Sequence, residues 1–494
     1  MRTSLFQNTL VTLPTGLGKT FIASTVMFNF YRWFTDGMIF FLAPTKPLVT
    51  QQIESFSQVI SEVPLEHIAE LTGTLSKHKR QRQYLMKRVF FMTPQTLQKD
   101  IESGLFDCAK IVLLVIDEAH RATGNYAYCR IIQMLEVQNV GFRILSLSAT
   151  PVSKIENLQA IVSSLRVAMF EVRDEEDDEI KKYTHDKNIT EIVVDKENYI
   201  TEMENKMYRI MALALAFLKQ VKIVPHSMQP KYLNKMNVLQ MQESFKGQMA
   251  NYAPSIISCV YERISCLLSL SHGKKLLLTH GVESFSDYIL NYFDVTKKDK
   301  KNVSFLRDLK GSEEYKDMHQ YIEDTKATMK HPKLKKLSEI LHHFFMDPDH
   351  KQSKAIIFSS FRESAHEVKR FLDAKNEGVV RAEVFVGQNN GGLTQKIQAA
   401  MIQRFKDGKI NTLIATCVAE EGLDIGNVDL IISYDCLASP IRMIQRFGRT
   451  GRQGTGQVII LIAKGEEEMK LKMSKKTSKN IMQALKVQSK QACS

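Results

Sequence analysis

From Thr9 onward, short apolar runs alternate with longer stretches of mixed polarity. Thr9–Leu13, Met38–Ala43, Val89–Thr93, Ile111–Asp117 and Arg143–Ser148 are short and almost wholly apolar, which reads as strands buried on both faces. Such strands separated by amphipathic segments predict a parallel, doubly wound α/β sheet. The acidic run Asp174–Glu179 breaks the pattern and reads as a solvated linker. Between about Lys196 and Lys330 apolar residues recur at helical spacing instead, as in Met207–Leu218, which predicts a helical insert. Strand and helix alternation resumes with Lys354–Ser359, Asn411–Ala415, Leu430–Tyr434 and Gln457–Ile462. The expected division is an α/β lobe over 1–173, a linker and helical insert over 174–330, a second α/β lobe over 331–465 and a tail over 466–494.

Length agrees with this division, since 494 residues are too many for one compact core. With 67 Lys and Arg against 54 Asp and Glu, the formal charge is +13 and the pI near 9.2. That balance suits a polyanionic partner, although taken alone it is equally at home in a protein that binds none. The tail from Lys464 adds eight lysines against three glutamates. The cluster Lys297–Lys301 reads as a phosphate contact, a nuclear address or simply an exposed loop. The seven cysteines form no Cys-x-x-Cys pair and have no histidine at finger spacing, so a reducing intracellular compartment and no structural zinc are expected. No apolar run reaches the roughly 18 residues of a membrane span, and Met1–Asn8 lacks the apolar core of a secretion signal, so a soluble protein is expected.

The chemistry sits where the predicted strands end. Leu13-Pro14-Thr15-Gly16-Leu17-Gly18-Lys19-Thr20 follows the first strand, the context that a phosphate-binding P-loop needs. Gly16 and Gly18 let backbone amides turn toward phosphates, Lys19 reaches the β and γ phosphates of ATP, and Thr20 offers a hydroxyl to Mg²⁺. The first glycine of the general pattern is Leu13 here, and a plain glycine-rich turn is the alternative. Val115-Ile-Asp-Glu-Ala-His120 ends another strand: Asp117 is the second candidate Mg²⁺ ligand and Glu118 the candidate general base for water attack, against the plainer reading of an exposed helix cap. Leu147-Ser-Ala-Thr150 closes the last strand of the first lobe, and by its place in the order it makes Ser148 and Thr150, with His120, candidates for coupling hydrolysis to movement. In the second lobe Gln445-Arg-Phe-Gly-Arg-Thr-Gly-Arg452 spaces arginines so that Arg449 and Arg452 share a face, and with Gln445 they can stabilise charge on a γ-phosphate across a cleft.

A P-loop, Asp-Glu-Ala-His and Gln-Arg-x-Gly-Arg-x-Gly-Arg in this order resemble the motif series of superfamily 2 helicases, and the resemblance covers the whole chain. It implies two RecA-like lobes in tandem with an α-helical insert, ATP and Mg²⁺ as cofactors, and nucleic acid as partner. Ala43–Val49, Leu71–Gly73 and Thr93-Pro94 resemble the strand-contacting motifs of the first lobe, and Phe358–Arg362, Phe385–Gly387 and Thr416–Gly426 those of the second. By that resemblance Pro44, Thr45, Gly73, Thr93, Pro94, Ser359, Gly387 and Thr416 contact the nucleic-acid backbone, and Gly422 and Asp424 approach the nucleotide. Asn8–Val11, Leu13–Ala23, Asn29–Trp33, Ala43–Ile53, Gly124–Tyr128, His331–Leu337 and Glu420–Gly426 are similar to the Fanconi anaemia group M (FANCM) and Hef branch. That branch implies an ATP-dependent, 3′-to-5′ DNA helicase or translocase that remodels forked or four-way junctions in replication-fork and cross-link repair, in the nucleus, with partners from a repair complex.

The family also places an adenine-reading glutamine upstream of the first strand, and Met1 lies too close to the P-loop to include it. No Glu-Arg-Lys nuclease signature occurs, so no DNA cleavage is expected. Two other readings stand beside the DNA motor: an RNA-duplex translocase of the RIG-I type, and a DNA-binding scaffold without motor activity. The Asp-Glu-Ala-His sequence and the Trp33 and Tyr128 stretches favour DNA, while intact Lys19, Glu118 and Arg452 argue against an inactive scaffold.

Overall fold

The computed structural model describes all residues except 139, 150–154, 175–176, 183–186, 295–303, 376–377, 388–393, 417–424, 436–455 and 494. Seven strands, β1 (Thr9–Thr12), β2 (Met38–Leu42), β3 (Ile68–Leu71), β4 (Val89–Met92), β5 (Ile111–Ile116), β6 (Arg143–Ser148) and β7 (Met169–Val172), form one parallel sheet in the order β3-β4-β2-β5-β6-β1-β7. Alternate residues of the central strands feed two cores. Val11, Ile39 and Phe41 pack with Val26, Phe30 and Phe56 of the helices Lys19–Trp33 and Lys46–Val59. Leu10, Phe40 and Leu42 pack on the other face with Leu97 and Ile131 of the helices Pro94–Glu102 and Ala127–Val137. Covered on both sides, these strands carry the continuous apolar runs of a doubly wound sheet.

The second sheet contains β8 (Lys187–Val194), β9 (Ala355–Phe358), β10 (Ala382–Phe385), β11 (Thr412–Ala415), β12 (Leu430–Ser433) and β13 (Gly456–Ala463) in the order β10-β11-β9-β12-β13-β8, again parallel. The helices Pro332–Met346 and Arg362–Lys375 cover one face and Gln395–Lys406 the other. One expectation is corrected here. Lys187–Val194 lies within the stretch assigned to linker and insert, yet it pairs along its whole length with Gly456–Ala463 as an edge strand of the second sheet. Its partner is remote in sequence and it is solvated, with Ile189 and Val193 each 49% exposed, so no local apolar run announces it.

The insert has its own core, built from the helices Asn198–Gln220, Lys235–Lys246, Pro254–His280, Val282–Phe293, Ser304–Gly311 and Glu313–Lys326. The two central helices turn on Gly281, whose φ of +99° suits glycine, and a Cβ there would meet His331 at 2.9 Å. Where the insert meets the second lobe the seam is polar and buried. His280 Nδ1 lies 2.5 Å from Ser364 Oγ and Ser284 donates to Glu367, and behind them, on the second-lobe side, Lys333 donates to Tyr434 O at 2.8 Å and to Glu467 Oε2 of the C-terminal helix at 2.5 Å. Burial pushes the His280 pKa down to about 3 and the Glu367 carboxyl up to about 7.

The tail, Glu466–Cys493, is one helix that starts against Ile460 and Ile462 of the second sheet and buries Ile481 in the core of the first. Among the described residues no helix is long and apolar enough to cross a membrane.

Candidate nucleotide and nucleic-acid site

Strand order brings the carboxyl ends of β1, β6 and β5 side by side, because β6 pairs with both neighbours. The P-loop leaves β1 and runs into the helix Lys19–Trp33 with Gly16 and Gly18 at φ of +84° and +85°, a left-handed backbone that side chains with a Cβ resist. Lys19 Nζ donates to the carbonyls of Leu13 at 2.9 Å and Pro14 at 3.2 Å, so the lysine folds over its own loop. Thr20 Oγ1 donates to Gln52 Oε1 at 3.0 Å.

Asp117 follows β5, is 7% exposed, and accepts the Glu118 N–H at 2.9 Å. Glu118 is one of three residues other than glycine described with positive φ, at φ +50° and ψ +50°. Such backbone costs on the order of 1–3 kcal/mol and is found where a structure aims a side chain. The carboxylate lies 3.2 Å from His120 Nδ1, and that ring nitrogen lies 3.4 Å from Ser148 Oγ at the end of β6. Asp117, Glu118, His120 and Ser148 thus form a chain across two strand ends.

Burial, then the charge of Glu118, raises the Asp117 carboxyl, and Lys19 counters them. Burial also works to raise Glu118, but His120, Lys19 and Arg121 outweigh it and hold that carboxyl low. Glu118 is therefore the anion of the pair. A turn of left-handed glycines with a folded lysine, beside a hydroxyl and a buried carboxyl, fits a triphosphate and Mg²⁺.

Two residues of this site carried no chemical role in the sequence. Gln52 is buried on the helix Lys46–Val59 and holds the Thr20 hydroxyl. Tyr128, wholly buried, donates to Asp117 O at 2.7 Å and Leu42 O at 3.3 Å, fixing the backbone that carries the carboxylates. Both lie in stretches similar to the FANCM and Hef branch, Ala43–Ile53 and Gly124–Tyr128, and that similarity was their only signal.

The other half of the same sheet edge holds the expected strand contacts. With β3, β4 and β2 adjacent, Gly73, Thr93 and Pro94, and Pro44 and Thr45 emerge side by side. Gly73 and Thr45 are exposed, Pro44 and Thr93 half-buried, and Pro94 is buried at the first turn of its helix. A Cβ on Gly73 would lie 3.9 Å from Thr96 Oγ1, itself 2.9 Å from Thr93 Oγ1, so the two loops touch.

In the second lobe β10, β11 and β9 bring Gly387, Thr416 and Ser359 to one edge. Thr416 is 6% exposed and donates its N–H to Phe385 O, and Gly387 O accepts Arg362 Nη2 at 2.6 Å. Ser359 departs from expectation: it is wholly buried, with its hydroxyl bonded to Phe361 O, because it still occupies the strand register. The exposed neighbour Ser360 takes the outer position. Thr150, Gly422, Asp424, Gln445, Arg449 and Arg452 lie outside the described residues.

Residues 2–153 match the family model for the type III restriction enzyme res subunit, and residues 332–454 match the helicase conserved C-terminal domain. The chain is 39% identical to the ATP-dependent DNA helicase mph1 of Sclerotinia sclerotiorum over 97% of its own length and 40% of that protein's. It is 36% identical to the Fanconi anemia group M protein homolog of Mus musculus over 98% of its length and 25% of the relative's. It thus spans well under half of these curated relatives. The crystal structure of the Pyrococcus furiosus Hef helicase domain matches with a TM-score of 0.68 and 31% identity, covering 95% of each chain. The two parallel lobes are RecA-like as in that structure, and the chain belongs to the FANCM and Hef type of superfamily 2 helicases, of which it carries the helicase region.

Proposed function

We propose that the chain is an ATP-driven motor that steps 3′ to 5′ along DNA and remodels forked or four-way junctions, serving replication-fork and cross-link repair in the nucleus with partners from a repair complex. One observation carries the reading: a single sheet edge holds Lys19, Thr20, Asp117 and Glu118 on one half and Gly73, Thr93 and Thr45 on the other. Phosphate chemistry and strand grip then share one rigid body. Lys19 exchanges the carbonyls of Leu13 and Pro14 for the β and γ phosphates of ATP. Thr20 and Asp117 would hold Mg²⁺, which when bound neutralises charge on the phosphates. Glu118, kept anionic by His120 and Lys19, takes the proton of the attacking water.

His120 bridges Glu118 to Ser148 at the end of β6, so a change at the carboxylate is passed to the segment that carries Thr150. Gly422, Asp424, Gln445, Arg449 and Arg452 complete the site from the second lobe, where the arginines stabilise transition-state charge. Threonine hydroxyls and backbone groups at strand ends suit phosphate and read no base. The mph1 relative named above is an ATP-dependent DNA helicase, which supports DNA over duplex RNA. Steady-state ATPase with single-stranded DNA, four-way DNA, linear duplex DNA, duplex RNA and no nucleic acid tests the reading. Four-way DNA should stimulate more than linear duplex of equal length, and duplex RNA least. Maximal stimulation by duplex RNA would replace this reading with that of an RNA-duplex translocase.

A further inference from the structure

The helix Lys77–Met86, which follows the edge strand β3, has the sequence Lys-His-Lys-Arg-Gln-Arg-Gln-Tyr-Leu-Met and contains no acidic residue. Its inner face is pinned. Arg80 donates through Nε to Asp100 at 2.9 and 3.1 Å and through Nη2 at 2.6 Å, and Tyr84 donates to the same carboxylate at 2.9 Å. Asp100 sits on the helix Pro94–Glu102, and Arg80 also donates to Leu75 O, in the loop that follows Gly73. The basic helix is therefore fixed to the loop that follows Gly73 and to the helix that follows Thr93.

Lys77, His78, Lys79 and Arg82 point outward, and all four are exposed. Among the described residues none of them has a carboxylate within ion-pair distance; Lys77 donates only to Ser103 Oγ at 3.2 Å. Other basic residues nearby are already occupied: Arg80 by Asp100, Lys87 by Ile68 O, and Arg88 by the carbonyls of Tyr31 and Phe34. Three permanent charges held on a fixed helix without counter-charge are a surface built for a polyanion. From Lys77 to Arg82 the helix advances about 7.5 Å, and phosphates of one duplex strand are spaced about 3.4 Å along the axis, so neighbouring phosphates can be met together.

Lys79 and Arg82 face away from the Arg80 and Tyr84 side, and so away from the helix whose first turn carries Thr93, while Lys77 reaches only Ser103, at the opposite end of that helix from Thr93. A strand lying across Gly73 and Thr93 would not run over them. We infer that Lys77, Lys79 and Arg82 form a second phosphate-binding surface on the first lobe, which holds the backbone of a duplex arm beside the gripped strand. This inference rests on the proposed action on DNA and adds where the second arm of a forked substrate is held.

The test is Lys77→Ala/Lys79→Ala/Arg82→Ala, which leaves Arg80, Tyr84 and Asp100 in place, compared with wild type on two probes. One is a single strand of about 12 nucleotides, and the other is the same strand joined to a duplex arm of about 15 base pairs, sizes chosen to engage the lobes with and without a duplex. For three lost phosphate contacts, the slope of log affinity against log salt on the joined probe should fall by about 2.7, so a rise from 50 to 200 mM salt costs the variant about 40-fold less affinity than wild type. Binding to the single strand, and the ATPase it stimulates, should stay within about twofold of wild type. Charge reversal at the same three positions should deepen the loss on the joined probe alone.

Equal losses on both probes would assign the helix to the strand path, and an unchanged salt slope on the joined probe would remove the surface altogether; either overturns the inference. Wild-type ATPase that no DNA stimulates would instead overturn the underlying reading of the function, which the single-strand probe detects separately.

Discussion

The anchor of the basic helix gives a stability prediction whose size follows from burial. Asp100 is wholly buried, the Arg80 side chain is 8% exposed, and the carboxylate accepts three hydrogen bonds from Arg80 and one from Tyr84. Asp100→Ala strands the Arg80 guanidinium, and it strands the Tyr84 phenol among Phe40, Phe90 and Phe106, which ring it at 6.3, 5.0 and 4.4 Å between centroids. Removing one partner of a buried pair costs about 3–5 kcal/mol, because the other charge is left without compensation. The exposed pair Arg166 and Glu136 in the same lobe, with side chains 59% and 36% accessible, is the control, and Glu136→Ala should cost about 0–1 kcal/mol.

The assay is urea unfolding followed by tryptophan fluorescence, since the single tryptophan, Trp33, sits on a first-lobe helix against Phe6 and Phe30 and reports that lobe. With a slope of about 2 kcal/mol per M, a loss of about 4 kcal/mol moves the midpoint by about 2 M for Asp100→Ala and less than about 0.5 M for Glu136→Ala. Arg80→Met/Asp100→Leu, which removes both charges, should recover most of the loss. Equal midpoints for Asp100→Ala and Glu136→Ala would refute the reasoning, and with it the fixed helix on which the second phosphate surface depends.

Lys19→Ala should abolish ATP hydrolysis while DNA affinity in a gel-shift titration stays near wild type, because the lysine lies on the nucleotide half of the sheet edge; retained hydrolysis would refute the P-loop assignment. Arg452→Ala should lower kcat on the order of 10³-fold with little change in KM, and a change confined to KM would refute a transition-state role. At the seam between insert and second lobe, His280 and His331 are both held neutral by burial, with pKa values pushed down, whereas in the unfolded chain each takes up a proton below about pH 6.5. Their contribution is complete above that pH and is lost as the pH falls, by about 1.4 kcal/mol per unit for each histidine. Glu367, pushed up to about 7, acts in the opposite sense between its ordinary carboxyl range and 7 and offsets one of them. The stability gap between wild type and His280→Gln should therefore narrow from pH 7 to pH 5 in thermal melts, and a constant gap would contradict a histidine held neutral.

The sequence alone determined the central strands, the lobe and insert architecture and the order of the motifs. β1, β2, β4, β5 and β6, with β9, β11, β12 and β13, lie inside their sheets or beside a neighbour that covers them, and full burial writes itself as unbroken apolar runs. The four strands that escaped notice, β3, β7, β8 and β10, are the four sheet edges. Half-exposed edges interleave polar residues, as in Ile68-Ala-Glu-Leu71 and Met169-Phe-Glu-Val172, and that pattern resembles any solvated segment. Lys19, Thr20, Asp117 and Glu118 stood out as candidates because the chemistry proposed for them needs fixed residue types at strand ends.

Gln52, Tyr128 and the carboxylate of Asp100 were not legible as parts of a network, since they act through one, two and four hydrogen bonds to residues 11 to 86 positions away, and such contacts leave no local period. The burial of Ser359, and the exposure of Ser360 in its place, turned on where strand register ends. Only the tertiary structure decided these features, because a side chain's role there is set by what packs against it and not by its neighbours in the chain.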